Sequence, residues 1–218
     1  MIIAFRGTTT KLQLFVQTAY TLGPKEEFYA MGKVQRYFKD ALEAIWSNVQ
    51  PFLELADYKS YSISFTGHSL GGALASLAAV RTVKDGYRTS NQIKLITFGQ
   101  PRVGDSTFAA MHDQLIPYSF RVVNKADLVP HLPPCKTTND MCDPDPERKS
   151  AYHHGTEIWY SNGMGVNATY RVCAGLPFDE DNTCSNSLPD LSFKVDDHTH
   201  YFDQMVSQFG KSGCIDDD

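Results

Sequence analysis

Residues 64–72 read Ser64-Phe65-Thr66-Gly67-His68-Ser69-Leu70-Gly71-Gly72. A β-rich run, Tyr61–Phe65, enters this stretch, and an Ala- and Leu-rich segment, Ser69–Lys84, leaves it. Glycines on both sides of the serine suit a sharp strand-to-helix turn, because side chains at those positions would collide. The helix that follows would direct its backbone N–H groups at an oxyanion formed beside the serine. The pattern therefore predicts a nucleophilic Ser69 at the tip of a strand–turn–helix unit.

Strands and helices are predicted to alternate along the rest of the chain. Apolar residues between Phe28 and Phe52 recur three or four positions apart, which predicts an amphipathic helix that ends near Pro51. Two further helices are predicted over Phe108–Leu115 and Tyr201–Phe209. Short β-rich or apolar runs predict strands at Met1–Phe5, Ile93–Phe98, Phe120–Val123, Glu157–Tyr160 and Tyr170–Cys173. This alternation is typical of an α/β protein with a mostly parallel sheet, and we expect a single domain over residues 1–218.

Composition and charge exclude several classes of protein. The chain has 218 residues, of which 42% are hydrophobic and 21% are charged, as in ordinary globular domains. Its 20 Lys and Arg residues against 25 Asp and Glu residues give a net charge of −5. This charge, without any large basic cluster, argues against a nucleic-acid partner. No apolar run approaches the roughly 18 residues that span a bilayer, so no transmembrane segment is predicted.

A nucleophilic serine needs a general base, and the base needs an acid that orients it. A strand–turn–helix unit that carries such a serine is called a nucleophile elbow. In proteins with this elbow the three residues follow the order serine, acid, histidine. Asp127 follows the predicted strand Phe120–Val123, at the edge of the sheet where loops after parallel strands gather. It is therefore the leading candidate for the acid. Asp140, Asp143 and Asp145 lie in an irregular segment and are weaker candidates.

Seven histidines compete for the role of the base. His68 lies inside the elbow, and His198 and His200 lie between the last predicted strand and the terminal helix. The others precede these two along the chain: His112, His131, His153 and His154. Position favours the last two histidines, but spacing alone does not choose between His198 and His200.

Several blocks of sequence carry a resemblance to a known family. Besides the elbow, they are Phe5-Arg6-Gly7-Thr8, Thr97-Phe98-Gly99-Gln100-Pro101-Arg102-Val103-Gly104, Asp127-Leu128-Val129-Pro130-His131-Leu132-Pro133-Pro134, His154-Gly155-Thr156-Glu157-Ile158-Trp159, Cys184-Ser185-Asn186-Ser187 and Asp197-His198-Thr199-His200-Tyr201-Phe202. In this order the blocks resemble the class 3 (fungal-type) triacylglycerol lipase family of α/β-hydrolases. A longer cysteine-containing insertion is similar to that of the secreted nematode members.

The resemblance implies an α/β-hydrolase fold and a catalytic triad of Ser69, Asp127 and His198. It also implies an oxyanion hole at Thr8, whose N–H would act together with the N–H of Leu70. The implied reaction is hydrolysis of a lipid ester at a lipid–water interface, through an acyl-enzyme and without a cofactor or metal. Phospholipase and short-chain or feruloyl-type esterase activities remain as alternatives, as does a non-catalytic lipid-binding form.

The five cysteines all lie in the C-terminal part of the chain. Two local pairs in polar loops predict the disulfides Cys135–Cys142 and Cys173–Cys184, and such pairs are typical of an oxidising compartment. Cys214 is left without a local partner, and we expect it to be a free thiol. A zinc site made of Cys135 and Cys142 with His153 and His154 matches no common zinc spacing.

Two further observations concern secretion. Asn167-Ala168-Thr169 is an acceptor sequence for N-linked glycosylation, which agrees with a secreted, extracellular protein. The chain nevertheless begins at the predicted strand Met1–Phe5 without a leader peptide. Since members of the resembled family have a helix and strands before this point, we expect the N-terminal helix and first strands of the domain to be missing.

Overall fold

The computed structural model of the protein describes residues 1–7, 23–145, 147, 150–175 and 179–215. Within these residues the strands are β1 (Ile2–Phe5), β2 (Lys25–Glu27), β3 (Lys33–Gln35), β4 (Ile63–His68), β5 (Ile93–Phe98), β6 (Gly104–Asp105), β7 (Ser119–Asn124), β8 (Thr137–Thr138), β9 (Met141–Cys142), β10 (Ala151–Tyr152), β11 (Thr156–Tyr160), β12 (Arg171–Val172), β13 (His200–Tyr201) and β14 (Gln204–Met205). The helices are α1 (Arg36–Glu54), α2 (Leu70–Lys84), α3 (Ser106–Leu115), α4 (Val195–Thr199) and α5 (Val206–Lys211).

The central sheet has the strand order β1-β4-β5-β7-β11-β12. Its first five strands pair in parallel, and β12 pairs with β11 in the antiparallel direction. Helix α2 connects β4 to β5, and α3 connects β5 to β7, as parallel pairing requires. The predicted α/β fold with a mostly parallel sheet is thus confirmed. Since the strands run the same way, the segments after β4, β5 and β7 all leave the sheet at one edge.

Helix α2 lies close to the sheet because many of its residues are small. Ala73, Ala75, Ala78 and Ala79 are completely buried, as are Ile63 and Phe65 on the neighbouring strand β4. The burial of β4 alternates along the strand, so one of its faces meets this helix and its other residues are partly exposed. Close packing of the helix holds the residue just before it, Ser69, at a fixed position above the sheet edge.

The predicted amphipathic helix begins later than expected. Phe28, Met31 and Val34 are buried as the helical pattern required, but they belong to a turn and to β3, which pairs with β2. Gly32 has a φ of +106°, which interrupts any helix at this point. The helix α1 starts at Arg36 and continues through Pro51 to Glu54.

The predicted terminal helix Tyr201–Phe209 is wrong in its first half. Tyr201 belongs to β13, which pairs with β14 in a hairpin. The turn between them uses positive φ angles at Phe202 and Asp203, and the helix α5 starts only at Val206. As a consequence, Tyr201 is buried rather than placed on a surface helix.

Covalent links occur in the irregular segments of the chain. The structure contains the disulfides Cys135–Cys142 and Cys173–Cys184, as the local pairing of cysteines in the sequence predicted. Cys214 is an exposed free thiol. In the described part of the chain, no helix has both the length and the apolar character needed to cross a membrane.

Candidate active site

Ser69 occupies the sharp turn between β4 and α2. Its backbone has a φ of 58° and a ψ of −127°, a conformation that L-residues rarely adopt. A side chain at Gly71 would overlap the Phe5 carbonyl oxygen, and one at Gly67 would overlap the backbone of Gly71. The turn therefore forms only with glycine at these two positions, which is why the sequence predicted it.

The backbone around Ser69 is held by hydrogen bonds while its hydroxyl is left unpaired. The N–H of Ser69 donates to the Phe98 carbonyl at 2.9 Å, and its carbonyl accepts from the N–H of Gly72 at 2.9 Å. The Oγ of Ser69 has no hydrogen-bond partner among the described residues. Leu70 is the first residue of α2. The N–H groups of the first helical turn have no acceptor within the helix and therefore favour an anion.

Asp127 and His198 form a buried hydrogen bond. The distance between Oδ2 of Asp127 and Nδ1 of His198 is 2.9 Å. The same carboxylate accepts the Tyr201 hydroxyl at 2.6 Å and the Val129 N–H at 2.9 Å. Burial on its own would raise the pKa of Asp127, but the His198 ring and the accepted hydrogen bonds lower it overall. Asp127 is therefore a carboxylate at neutral pH.

The hydrogen bond to Asp127 determines which nitrogen of His198 carries the proton. A carboxylate only accepts hydrogen bonds, so Nδ1 is the protonated nitrogen and Nε2 carries a lone pair. This Nε2 has no hydrogen-bond partner in the part of the chain that the structure describes. Asn124 holds the surrounding loop by donating to the carbonyls of Asp197, at 3.1 Å, and His200, at 2.9 Å. His198 is thus prepared to accept a proton at Nε2.

A cavity of about 790 Å³ opens beside Ser69 and His198. Ser69, His68 and His198 line one part of it, and Arg6, Asp196 and Lys211 bring charged groups to it. Apolar side chains from β1 and from the C-terminal elements line the remainder: Ala4, Phe5, Met205, Val206 and Phe209. A serine hydroxyl, an oriented imidazole and an apolar surface in one cavity suit acyl transfer from an apolar substrate.

Two residues of the site were missed by the sequence reasoning. Gly99 has a φ of +55°, and a Cβ there would lie 2.7 Å from Oδ2 of Asp127 and 2.8 Å from Nδ1 of His198. Tyr201, which donates to Asp127, had been assigned to a helix. The available signals were a glycine directly after a predicted strand and a tyrosine three residues after the base.

The other candidates from the sequence lie elsewhere. Thr8, the expected oxyanion-hole residue, is outside the described residues. Nδ1 of His200 lies 3.0 Å from both Oγ1 of Thr199 and the Asp196 carbonyl, and the acid bonds to His198 instead. Asp143 accepts the Thr138 hydroxyl in a local turn. Asn167 is exposed at a turn, with a φ of 63°.

The histidines of the rejected zinc site have other partners. Nε2 of His153 lies 2.7 Å from the Pro130 carbonyl, and Nε2 of His154 lies 2.8 Å from the Ser76 hydroxyl. Glu157 lies close to the sulfurs of Cys173 and Cys184, but these sulfurs form a disulfide and offer no thiolate to a metal.

Sequence comparison relates the chain to known proteins. The family described as lipase (class 3) matches residues 2–137. Lipase ZK262.3 of Caenorhabditis elegans is 46% identical over 97% of this chain and 64% of its own length. A lipase of Rhizomucor miehei is 35% identical over 78% of this chain and 43% of its own length. The chain therefore spans between 43% and 64% of the length of these two relatives.

The fold is similar to that of solved lipases. One is a triacylglycerol lipase whose catalytic centre is formed by a serine protease triad. It overlays on this chain with a TM-score of 0.74 and 30% sequence identity, over 92% of this chain and 70% of that one.

Proposed function

Because this chain belongs to the class 3 lipase family, we propose that it is a serine hydrolase that cleaves carboxylic esters of lipids, with triacylglycerols as the leading substrate class. The observation that carries the proposal is the buried hydrogen bond between Asp127 and His198, next to a cavity that Ser69 also lines. This geometry favours an enzyme over the alternative of a non-catalytic lipid-binding form, because binding alone needs no oriented histidine.

In the proposed reaction Ser69 is the nucleophile and His198 is the base. Oγ of Ser69 attacks the ester carbonyl carbon while Nε2 of His198 takes the hydroxyl proton. The resulting oxyanion is stabilised by the N–H of Leu70 together with Thr8. When the tetrahedral intermediate collapses, His198 gives its proton to the leaving alcohol and the acyl group stays on Ser69. Water, deprotonated by His198, then releases the fatty acid.

Asp127 acts through the base rather than on the substrate. Its charge keeps the proton of His198 on Nδ1 and stabilises the imidazolium that forms after proton transfer. Its lowered pKa supports this role, because Asp127 then stays a carboxylate at neutral and mildly acidic pH.

The acyl chain of the substrate is proposed to occupy the cavity beside Ser69. The apolar lining of Phe5, Met205 and Phe209 supports a lipid acyl group, presented at a lipid–water interface. A phospholipase or a short-chain esterase would use the same chemistry. Hydrolysis of p-nitrophenyl acetate, butyrate, octanoate and palmitate separates a lipase from a short-chain esterase. A preference for the acetate would contradict the lipase assignment.

The first prediction is that Ser69→Ala abolishes ester hydrolysis. Because the variant lacks the attacking oxygen, kcat is expected to fall by about 10⁶-fold. The matched control is Ser62→Ala, which changes the same residue type ahead of β4 and should keep the parent rate. Residual activity of Ser69→Ala within tenfold of the parent would contradict the proposed nucleophile.

We also propose that the protein is secreted and carries a glycan at Asn167. The disulfides Cys135–Cys142 and Cys173–Cys184 support an oxidising compartment, and the exposure of Asn167 at a turn leaves its amide accessible. Enzymatic removal of N-glycans from the protein made in its own secretory cells should lower its mass. Asn167→Gln should show no such change.

A further inference from the structure

His68 makes two contacts with the base that the proposed reaction does not use. Its ring stacks on the ring of His198, with centroids 4.4 Å apart and planes inclined by 27°. Its Nε2 lies 2.8 Å from the backbone carbonyl oxygen of His198. Because a carbonyl oxygen only accepts hydrogen bonds, Nε2 of His68 carries the proton and donates it.

We propose that His68 is a positioning residue, whose two contacts fix the loop and the ring of His198 at the cavity that Ser69 also lines. This inference rests on the proposed function, in which His198 is the base. His68 itself is not suited to be the base, because its Nε2 is bonded to the His198 carbonyl and the acid Asp127 bonds to His198.

The backbone of His68 is well fixed for such a role. His68 is the last residue of β4 and is in register with Phe98 on the neighbouring strand β5. It directly precedes Ser69, so the nucleophile and the residue that holds the base are adjacent on one rigid turn. His198, by contrast, lies on the short helix α4 and is 130 residues away along the chain. The contact therefore aligns the loop of the base with the sheet that carries the nucleophile.

The charge of His68 suits a ring that faces an imidazolium. Burial and the proximity of His198 lower the pKa of His68 to about 4, against a smaller opposite effect of Asp127. The titratable groups that face its ring are His198, Asp127 and Tyr201, the last edge-on at 5.3 Å. At neutral pH His68 is uncharged, so it does not repel the imidazolium that His198 becomes during the reaction.

Three substitutions separate the two contacts. His68→Phe keeps an aromatic face without a donor, His68→Gln keeps a donor without an aromatic face, and His68→Leu keeps neither. We expect kcat for an ester substrate to fall about tenfold in the first two and about a hundredfold in the third. Because His68 also lines the cavity, KM is expected to shift by about two- to threefold, and the loss in kcat should exceed the change in KM.

The matched control is His131→Phe. His131 also stacks on an aromatic ring, that of Phe193, with centroids 3.9 Å apart and planes inclined by 27°. It makes no hydrogen bond to His198 among the described residues, so its replacement should leave kcat within about threefold of the parent. A loss in His68→Phe that also occurs in His131→Phe would reflect weakened folding and would overturn the proposal.

Two further measurements report on the ring of His198 and on the charge of His68. The proton on Nδ1 of His198 should give a sharp downfield NMR signal in the parent and a broadened one in His68→Leu, where the hydrogen bond to Asp127 holds the ring without the support of His68. In the parent, kcat/KM should fall more steeply below about pH 4, when His68 gains a charge beside His198, and His68→Phe should lack this second step.

The outcomes are distinguishable. Parental kcat in His68→Leu, or an unchanged NMR signal together with an unchanged low-pH step, would overturn the role of His68. If the parent protein hydrolyses no ester at all, the proposed function fails instead. The NMR signal would then still decide whether His68 holds the ring of His198.

Discussion

Gly99 is the position at which one added methyl group would come between Asp127 and His198, the proposed acid and base. A Cβ there would lie within 2.8 Å of both Oδ2 of Asp127 and Nδ1 of His198, the two atoms that share a hydrogen bond. We predict that Gly99→Ala lowers kcat about 100-fold, because a displacement of about 1 Å in a reacting group has effects of this size. Steady-state ester hydrolysis measures it.

Gly86→Ala is the matched control for Gly99→Ala. Gly86 also has a positive φ, +77°, but no described atom lies within 4 Å of the Cβ that alanine would add. This variant should be less stable by about 1 kcal/mol and keep its kcat. Equal losses of activity in the two variants would show that backbone strain, and not contact with Asp127 and His198, is responsible.

The hydroxyl of Tyr201 supports the charge of Asp127. Tyr201→Phe removes a 2.6 Å hydrogen bond to a fully buried carboxylate. We predict a loss of about tenfold in kcat, since a hydrogen bond to a charged group contributes about 1.5–3 kcal/mol. The loss is not larger because Val129 and His198 still donate to Asp127. Tyr118→Phe, at an exposed position, is the control. An unchanged kcat in Tyr201→Phe would contradict the contribution of this bond.

At this scale the sequence predicted the turn at Ser69 but missed Gly99 and Tyr201, which contact Asp127 and His198. Ser69 was recognisable because its turn requires glycines at fixed neighbouring positions. The choice of His198 over His200 needed the family resemblance, since it depends on which ring meets an aspartate 71 residues away. Gly99 and Tyr201 lie near Asp127 because the fold brings their loops together. The spacing of residues along the sequence does not predict which loops meet.

Helix α2 illustrates how closely an element can be constrained by its neighbours. Ala78 lies on this helix and is completely buried. We predict that Ala78→Leu lowers the free energy of unfolding by about 1–3 kcal/mol, because added methylenes in a filled core force side chains and backbone apart. Ala44→Leu, the same change at an exposed position of α1, should stay within about 0.5 kcal/mol of the parent. Similar denaturation midpoints for both variants would contradict the close packing.

The elements predicted best were those whose sequence pattern fits only one kind of secondary structure. Strand β5 has the bounds Ile93–Phe98 that its apolar run indicated. The region before α1 was misassigned because Phe28, Met31 and Val34 repeat every three residues, which a helix and a turn followed by a strand can both satisfy. Gly32 was the discriminating residue, and its positive φ could not be read from periodicity.

Over the whole molecule, buried charged groups attach the irregular C-terminal segments to the sheet. Arg102 donates to both carboxylate oxygens of Glu180, at 2.7 Å and 2.9 Å. Arg121, also buried, donates to the His154 carbonyl at 2.8 Å and to the Asp179 carbonyl at 2.9 Å. Two titratable residues that Arg121 contacts in these segments, Asp179 and His154, make stability depend on pH, because burial acts on their charged and neutral forms differently.

We predict that the free energy of unfolding is greatest near pH 6.5. Burial, reinforced by Asp113, raises the pKa of Asp179 to about 8, so the folded chain binds this proton more tightly and stability falls as the pH rises from about 4 to about 8. Burial lowers the pKa of His153 and of His154 well below 6.5, so stability also falls as the pH drops below about 6.5. Burial also lowers the pKa of His68 to about 4 and that of His131 to about 3, so four histidines outweigh one carboxyl where the ranges overlap.

Urea denaturation at several pH values tests this maximum. Between pH 6.5 and pH 8 the parent should lose about 1–2 kcal/mol. Asp179→Asn, which keeps a neutral donor at the same position, should show no loss over this interval. If the alkaline decline persists in Asp179→Asn, another group is responsible for it.

The parallel sheet brings together residues that are far apart along the chain, and this has a kinetic consequence. His68 contacts His198 across 130 residues, and Asp127 contacts it across 71. Contacts of such sequence separation form late in refolding, because long loops must close before they are made. After dilution from denaturant, catalytic turnover should therefore return later than far-ultraviolet helical dichroism. The rate at which turnover returns would therefore measure the last step of folding.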